Sequence, residues 1–201
     1  MKMLKKLLAV VLTGAMALTL LTACGSNAVT EKDLADALND MAKAEAQAKG
    51  QDTYITFTPR AKEREMARQL AALLESKTAT ATVADGENDF VEEANNILGC
   101  NEGGANANNF VWFEQAVADE IGTGGQVYQF AEKVLDTHGT YAYHSQRGKT
   151  PANDRYMGTA LCKVLDHESG KMETWRIIVI TAKAVDKKSA PQRPGKHDFF
   201  P

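Results

Sequence analysis

The chain has 201 residues, with 23 Lys and Arg against 26 Asp and Glu, and a formal net charge of −3. This length is sufficient for one domain with a substantial hydrophobic core. Because the chain is acidic and carries no long basic run, we do not expect nucleic acid to be a partner.

The first 23 residues have the pattern of a secretory signal. Three lysines within the first six residues precede an apolar run over 7–21. This run is shorter than the about 20 apolar residues of a membrane-spanning helix, which is the competing interpretation. It ends in Leu21-Thr22-Ala23-Cys24, which resembles the lipobox of bacterial lipoproteins. The resemblance implies that residues 1–23 are removed and that Cys24 is lipidated. The protein would then be extracytoplasmic and anchored to the bacterial membrane.

The rest of the chain predicts one domain between two irregular segments. We expect residues 24–30 to be the anchor and tether, and residues 31–185 to be a single α+β domain. Residues 186–201 hold three prolines and several charges, which is typical of a flexible tail. The membrane is therefore the first predicted partner, reached through the lipidated N-terminus.

The first part of the domain predicts two helices and a short strand. Thr30 with Asp33 is a capping pattern, and apolar residues at helical spacing continue to about Lys49. Residues 54–57 predict a strand. Thr58-Pro59 then predicts the start of a second helix, because proline is tolerated at the first helical position. The apolar face of this helix holds Met66, Leu70, Leu73 and Leu74.

The middle of the chain predicts one further strand and three helices. Alternating Thr and Ala over 78–83 favour a strand. Apolar spacing from Phe90 predicts a helix that ends at Gly99, and residues 101–109 predict a loop. Two more helices are predicted, over 110–121 and from 126 to about 136.

The last part of the domain predicts strands over 140–144, 156–165 and 173–185. A polar turn over 166–171 separates the last two, which favours an antiparallel hairpin. Early helices and late strands predict an α+β fold. We expect the N-terminal helices to pack on a small, mainly antiparallel sheet that ends in this C-terminal β-hairpin.

Two sets of residues carry candidate chemistry. Asp136, His138 and His144 lie close together in the sequence, and with Glu87 they predict a His/carboxylate site for a divalent metal. Histidines at strand ends are also ordinary surface residues, and that alternative stays open. Cys100 and Cys162 are either a disulfide, which an extracytoplasmic location permits, or two buried thiols.

Gly86-Glu87-Asn88 after a predicted strand, later histidines and a final hairpin resemble the cysteine-rich secretory, antigen 5 and pathogenesis-related (CAP) superfamily. This resemblance implies an α-β-α sandwich with a cleft of two histidines and two acids. Glu87 and either His138 or His144 would line that cleft.

The sequence predicts a non-catalytic domain that binds a small ligand or an envelope protein, and it predicts no cofactor. This expectation follows from the anchor and from the lack of a serine-hydrolase or zinc-protease motif. The alternative is a CAP-like cleft protein or a metal-assisted hydrolase that uses Glu87, His138 and His144.

Overall fold

The computed structural model describes residues 29–80, 87–118, 121–135, 148–166 and 170–186. Within these ranges the chain forms four helices and four strands. In chain order they are α1 (Glu31–Ala48), β1 (Thr56–Pro59), α2 (Ala61–Thr80), α3 (Glu87–Leu98), β2 (Asn109–Val117), α4 (Thr123–Val134), β3 (Lys149–Asp166) and β4 (Lys171–Asp186). This is the predicted α+β fold.

The strands form one sheet in the order β1-β3-β4-β2. β1 is parallel to β3, and the other two pairs are antiparallel. β3 and β4 pair from Lys149 and Asp186 at one end to Asp166 and Lys171 at the other. The mainly antiparallel sheet and its C-terminal hairpin are therefore confirmed.

Helices cover both faces of the sheet. α1 and α4 pack on one face, called here the α1–α4 face, and α2 and α3 pack on the opposite α2–α3 face. Successive side chains of a strand point to opposite faces. The consecutive residues 177–180 of β4 are all fully buried, since helices cover this part of the strand on both sides. This two-sided burial explains the unbroken apolar run that predicted β4.

The prediction of a helix over 110–121 was wrong, because residues 110–117 belong to β2. Four consecutive large apolar residues, 110–113, are compatible with either structure, and periodicity alone cannot separate a buried strand from a buried helix. Phe110 and Trp112 contribute to the core on the α1–α4 face, whereas Val111 belongs to the core on the α2–α3 face. Burial on both faces of the sheet removes the polar alternation that would have revealed a strand.

Two boundaries of α2 also differ from the prediction. Pro59 ends β1 instead of beginning the helix, a position that proline tolerates because β1 is an edge strand. Residues 78–80, predicted as part of a strand, are the last residues of α2. The Thr78 hydroxyl donates to the Leu74 carbonyl at 2.9 Å, which satisfies it within the helix. The predicted strand over 140–144 lies outside the described residues.

Side chains of the helices cover the outer edge of the sheet. The Asn39 amide bonds both the N–H and the carbonyl of Phe57 in β1, at 2.6 and 3.1 Å. Beyond the end of β1, Glu31 accepts the N–H of Thr159 and Glu75 accepts the N–H of Lys163. These contacts occupy backbone groups that would otherwise be available to another strand.

A buried carboxylate fastens α2 to the sheet. Glu63 is fully buried and accepts hydrogen bonds from Arg60 and from the Thr181 hydroxyl, the latter at 2.7 Å. Close by, α2 approaches β3 so tightly that a Cβ on Gly158 would lie 1.9 Å from the Arg64 nitrogen. Burial by itself would raise the pKa of Glu63, but the hydrogen bonds from Arg60 and Thr181 outweigh it and hold this pKa below 4.5.

We predict that Glu63 contributes to acid unfolding. Its pKa is lower in the folded state, so its contribution is present above about pH 4.5 and is lost as the pH falls through the folded pKa. Glu63→Gln should lower the free energy of unfolding at pH 7 by about 1–3 kcal/mol. Between pH 7 and pH 3, the free energy of unfolding measured with urea should also fall less in Glu63→Gln than in the wild type. Glu65→Gln, at an exposed position of the same helix, is the control. An unchanged pH dependence in Glu63→Gln would contradict the assignment.

Candidate functional site

The structure describes little of the predicted His/carboxylate site. Glu87 is the first residue of α3, but its side chain is outside the described part of the chain. Cys24, Asp136, His138 and His144 also lie outside the described residues. Among the residues that are described, no group of three or more His, Cys, Asp or Glu side chains could hold a metal ion.

Cys100 and Cys162 are both buried in the core of the α2–α3 face and are not joined in a disulfide. Burial raises the pKa of each thiol to about 11, with an added contribution from Glu75 at Cys162. A thiol with this pKa is almost entirely protonated at neutral pH and is a poor nucleophile.

A different polar cluster lies on the α1–α4 face, where Trp112 and Glu114 occupy alternate positions of β2. Trp112 is 1% exposed and Glu114 is 6% exposed. Two residues of a strand span about 6.6 Å, and both side chains point to the same face. The register places Trp112 opposite Ile180 and Glu114 opposite Ile178, so an apolar surface borders them in β4.

Only one of the two carboxylate oxygens of Glu114 has a hydrogen-bond partner among the described residues. Its Oε2 accepts a hydrogen bond from Lys133 Nζ of α4 at 2.7 Å, and the Lys133 side chain is 55% exposed. Its Oε1 is buried and has no hydrogen-bond partner among the described residues. A buried charged group without its full set of hydrogen bonds costs free energy, so this oxygen is a strong acceptor for an incoming donor.

Trp112 places an unused donor on the same face. Its indole Nε1 is buried without a hydrogen-bond partner in the described part of the chain. The Arg155 guanidinium lies 4.5 Å from the centre of the Trp112 ring and donates to the Val134 carbonyl at the end of α4. This cation holds the indole from one side.

A second buried cation, Arg176 of β4, lies near the start of α4. It donates to Gln126 Oε1 at 2.7 Å, to the Val29 carbonyl at 2.8 Å and to the Thr159 hydroxyl at 3.3 Å. Burial lowers the pKa of the guanidinium, and the negative charge of Glu31 opposes that shift. Because its contacts join the starts of two helices to β3, Arg176 positions the α1–α4 layer and is less suited to hold a ligand.

The Trp112–Glu114 pair, with Lys133 beside it, is the candidate site. A buried acceptor and a buried donor on one face suit a small polar molecule that carries both kinds of group. Sequence reasoning missed the site because Glu114 was assigned to a helix. The feature of the sequence that could have indicated the site is Glu114, a single acidic residue within the mostly apolar segment 110–116.

Comparison with known proteins identifies no family, because no family model, curated protein or solved structure matches the chain. No helix among the described residues is long and apolar enough to cross a membrane.

We predict that Lys133→Met destabilises the fold by about 2 kcal/mol, because the buried Glu114 carboxylate loses its cationic partner. Glu114→Gln in the same chain should recover most of that loss, since the neutral amide needs no cation. Urea unfolding of both single variants and the double variant gives the coupling free energy.

Lys49→Met is the matched control, because Lys49 pairs with Glu45 on the exposed surface of α1. We expect a change within about 0.5 kcal/mol there. Equal effects at Lys133 and Lys49 would show that the Glu114 carboxylate does not need its partner.

Proposed function

We propose that the protein is a membrane-anchored extracytoplasmic lipoprotein whose folded part binds a small polar ligand without catalysing a reaction. The observation that carries the binding proposal is the pair of unsatisfied buried atoms, Glu114 Oε1 and Trp112 Nε1. The lipobox-like sequence ending at Cys24 supports the anchoring and the location.

The surroundings of the pair indicate the ligand's chemistry. Glu114 offers a carboxylate oxygen to a hydroxyl, amide or ammonium donor, and the Trp112 indole offers its N–H to an oxygen acceptor. Lys133 is half exposed and bonded to the same carboxylate, so it lies between Glu114 and solvent. Its long side chain gives the polar end of the site a route to water.

Fluorescence tests the binding proposal directly, because the chain has 2 tryptophans, Trp112 and Trp175. Trp175→Phe leaves Trp112 as the only tryptophan reporter. We expect at least one compound from a panel of amino acids, sugars and short amides to shift its emission and raise the melting midpoint. Native-state binding at a hundredfold excess over Kd stabilises by about 2.7 kcal/mol.

Glu114→Gln should weaken that binding about tenfold or more, a loss of about 1.4 kcal/mol. Trp112→Phe, which retains Trp175, removes the indole N–H donor, so it should bind more weakly and without the change in emission. Binding that Glu114→Gln leaves unchanged would place the ligand elsewhere and contradict the proposal.

The second candidate function is the CAP-like cleft or the metal-assisted hydrolase. The observation that favours it is the layering of helices on both faces of the sheet, because the CAP resemblance implies an α-β-α sandwich. In this alternative, Glu87 with His138 or His144 would bind a divalent metal.

Thermal unfolding separates the two candidates. The protein is stripped with EDTA and then given zinc, calcium or manganese. Under the second candidate one metal raises the melting midpoint by several degrees, and His138→Ala with His144→Ala abolishes the rise. A midpoint that no metal changes would remove this candidate and leave the ligand-binding proposal standing.

A further inference from the structure

None of the helices in the described ranges covers one part of the α1–α4 face. β3 and β4 continue beyond Arg176 toward their connecting turn, and alternate residues there point to this face. They form the hairpin face, defined as Leu161, Lys163, Leu165, Met172 and Thr174. Leu161 is 51% exposed and Met172 is 57% exposed.

Both covering helices begin beside Arg176 and run away from this face. The Val29 carbonyl, just before α1, and Gln126, in the first turn of α4, both accept hydrogen bonds from Arg176. Farther along, Asn39 of α1 contacts Phe57, and the end of α4 contacts Arg155. Arg155 precedes Leu161 by six residues in β3, about 20 Å along the strand. The hairpin face is therefore left open by the direction of the helices.

The chain enters the domain at the same place. Its first described residue, Val29, is bound to Arg176, and only residues 25–28 separate it from Cys24. An extended chain spans about 3.5 Å per residue, so Cys24 lies within about 20 Å of Arg176. Met172 lies four residues from Arg176 in β4, or about 13 Å.

The composition of the hairpin face suits a lipid surface. It presents three apolar side chains and a single charged one, Lys163, which is exposed. Lys163 lies between Leu161 and Leu165 on β3, and a lysine in such a position keeps its stem on the apolar side chains while its ammonium group reaches lipid head groups. The acidic Glu173 lies on the opposite face, where it accepts a hydrogen bond from the Trp175 indole.

We infer that the hairpin face rests on the surface of the bilayer that holds Cys24. The partner is the membrane itself, and the short tether keeps the apolar side chains against it. This inference depends on the proposed lipidation of Cys24, and it adds a second, non-covalent contact that fixes the orientation of the domain.

The test uses the full-length, lipidated protein in phosphatidylcholine vesicles with one fifth phosphatidylglycerol. A fluorophore is attached at Met172→Cys or, as the matched control, at Val185→Cys. Both positions are exposed apolar residues of β4, and they lie about 43 Å apart at opposite ends of the strand. Cys100 and Cys162 are buried, and the unsubstituted protein measures any background labelling.

Nitroxide-labelled lipids in the vesicles should quench the label at position 172 at least threefold more than the label at position 185. Leu161→Asp should reduce the quenching at position 172, because it places a charge on the hairpin face. Equal quenching at the two positions would overturn the inference, and so would quenching that Leu161→Asp does not change.

Vesicle flotation in the same samples separates this inference from the proposed function. Wild-type protein should float with the vesicles, and protein that begins at residue 25, which has neither the signal nor Cys24, should remain in solution. If the wild type does not float, the proposed anchoring fails and the inference fails with it. If it floats but both labels are quenched equally, only the placement of the hairpin face is wrong.

Discussion

The burial of Arg176 constrains the rest of the α1–α4 layer. Arg176 is only 5% exposed, so its guanidinium must find hydrogen-bond partners within the protein. It finds them in the Val29 carbonyl, Gln126 and Thr159, which belong to three separate parts of the chain. Satisfying this one cation therefore fixes where α1 begins, where α4 begins and how both meet the sheet. Removal of any partner would leave a buried charge without part of its hydrogen bonding.

The two ends of α4 contact buried charges in opposite ways. Near its start, Gln126 takes part in the well-bonded Arg176 network, whereas near its end Lys133 satisfies only one oxygen of Glu114. In the described part of the chain, Asn95 Oδ1 of α3 is also buried without a hydrogen-bond partner, but Glu114 Oε1 and Trp112 Nε1 lie at one place, two residues apart on β2. Because that place lies on β2 and α4, and not on a loop, the unmet groups are held in a fixed geometry.

Local signals predicted the elements that depend on neighbours in sequence. The capping box of Thr30 and Asp33 forms as expected, and the polar turn between two apolar runs predicted the hairpin. The prediction failed at β2, because burial on both faces removes the periodicity that identifies a strand. β4 is buried in the same way, but its residues 177–180 are all β-branched, which favours a strand. The sequence also showed no sign of the candidate site or of Arg176, since the bond from Arg176 to Val29 joins residues separated by 147 positions. Such contacts follow from the arrangement of the layers, which local spacing does not encode.

The candidate site and the hairpin face lie on the same side of the sheet. Ala116 is opposite Arg176 in the register, and Glu114 precedes it by two residues, so Glu114 is about 7 Å along β2 from the row of Arg176. The first described residue, Val29, is bound to Arg176 at that row. A domain resting on its hairpin face would thus hold its ligand close to the membrane surface, with α4 between the site and bulk solvent. In that orientation, the distance along the strands between the hairpin face and Glu114 would determine how near to the lipid head groups the ligand is bound.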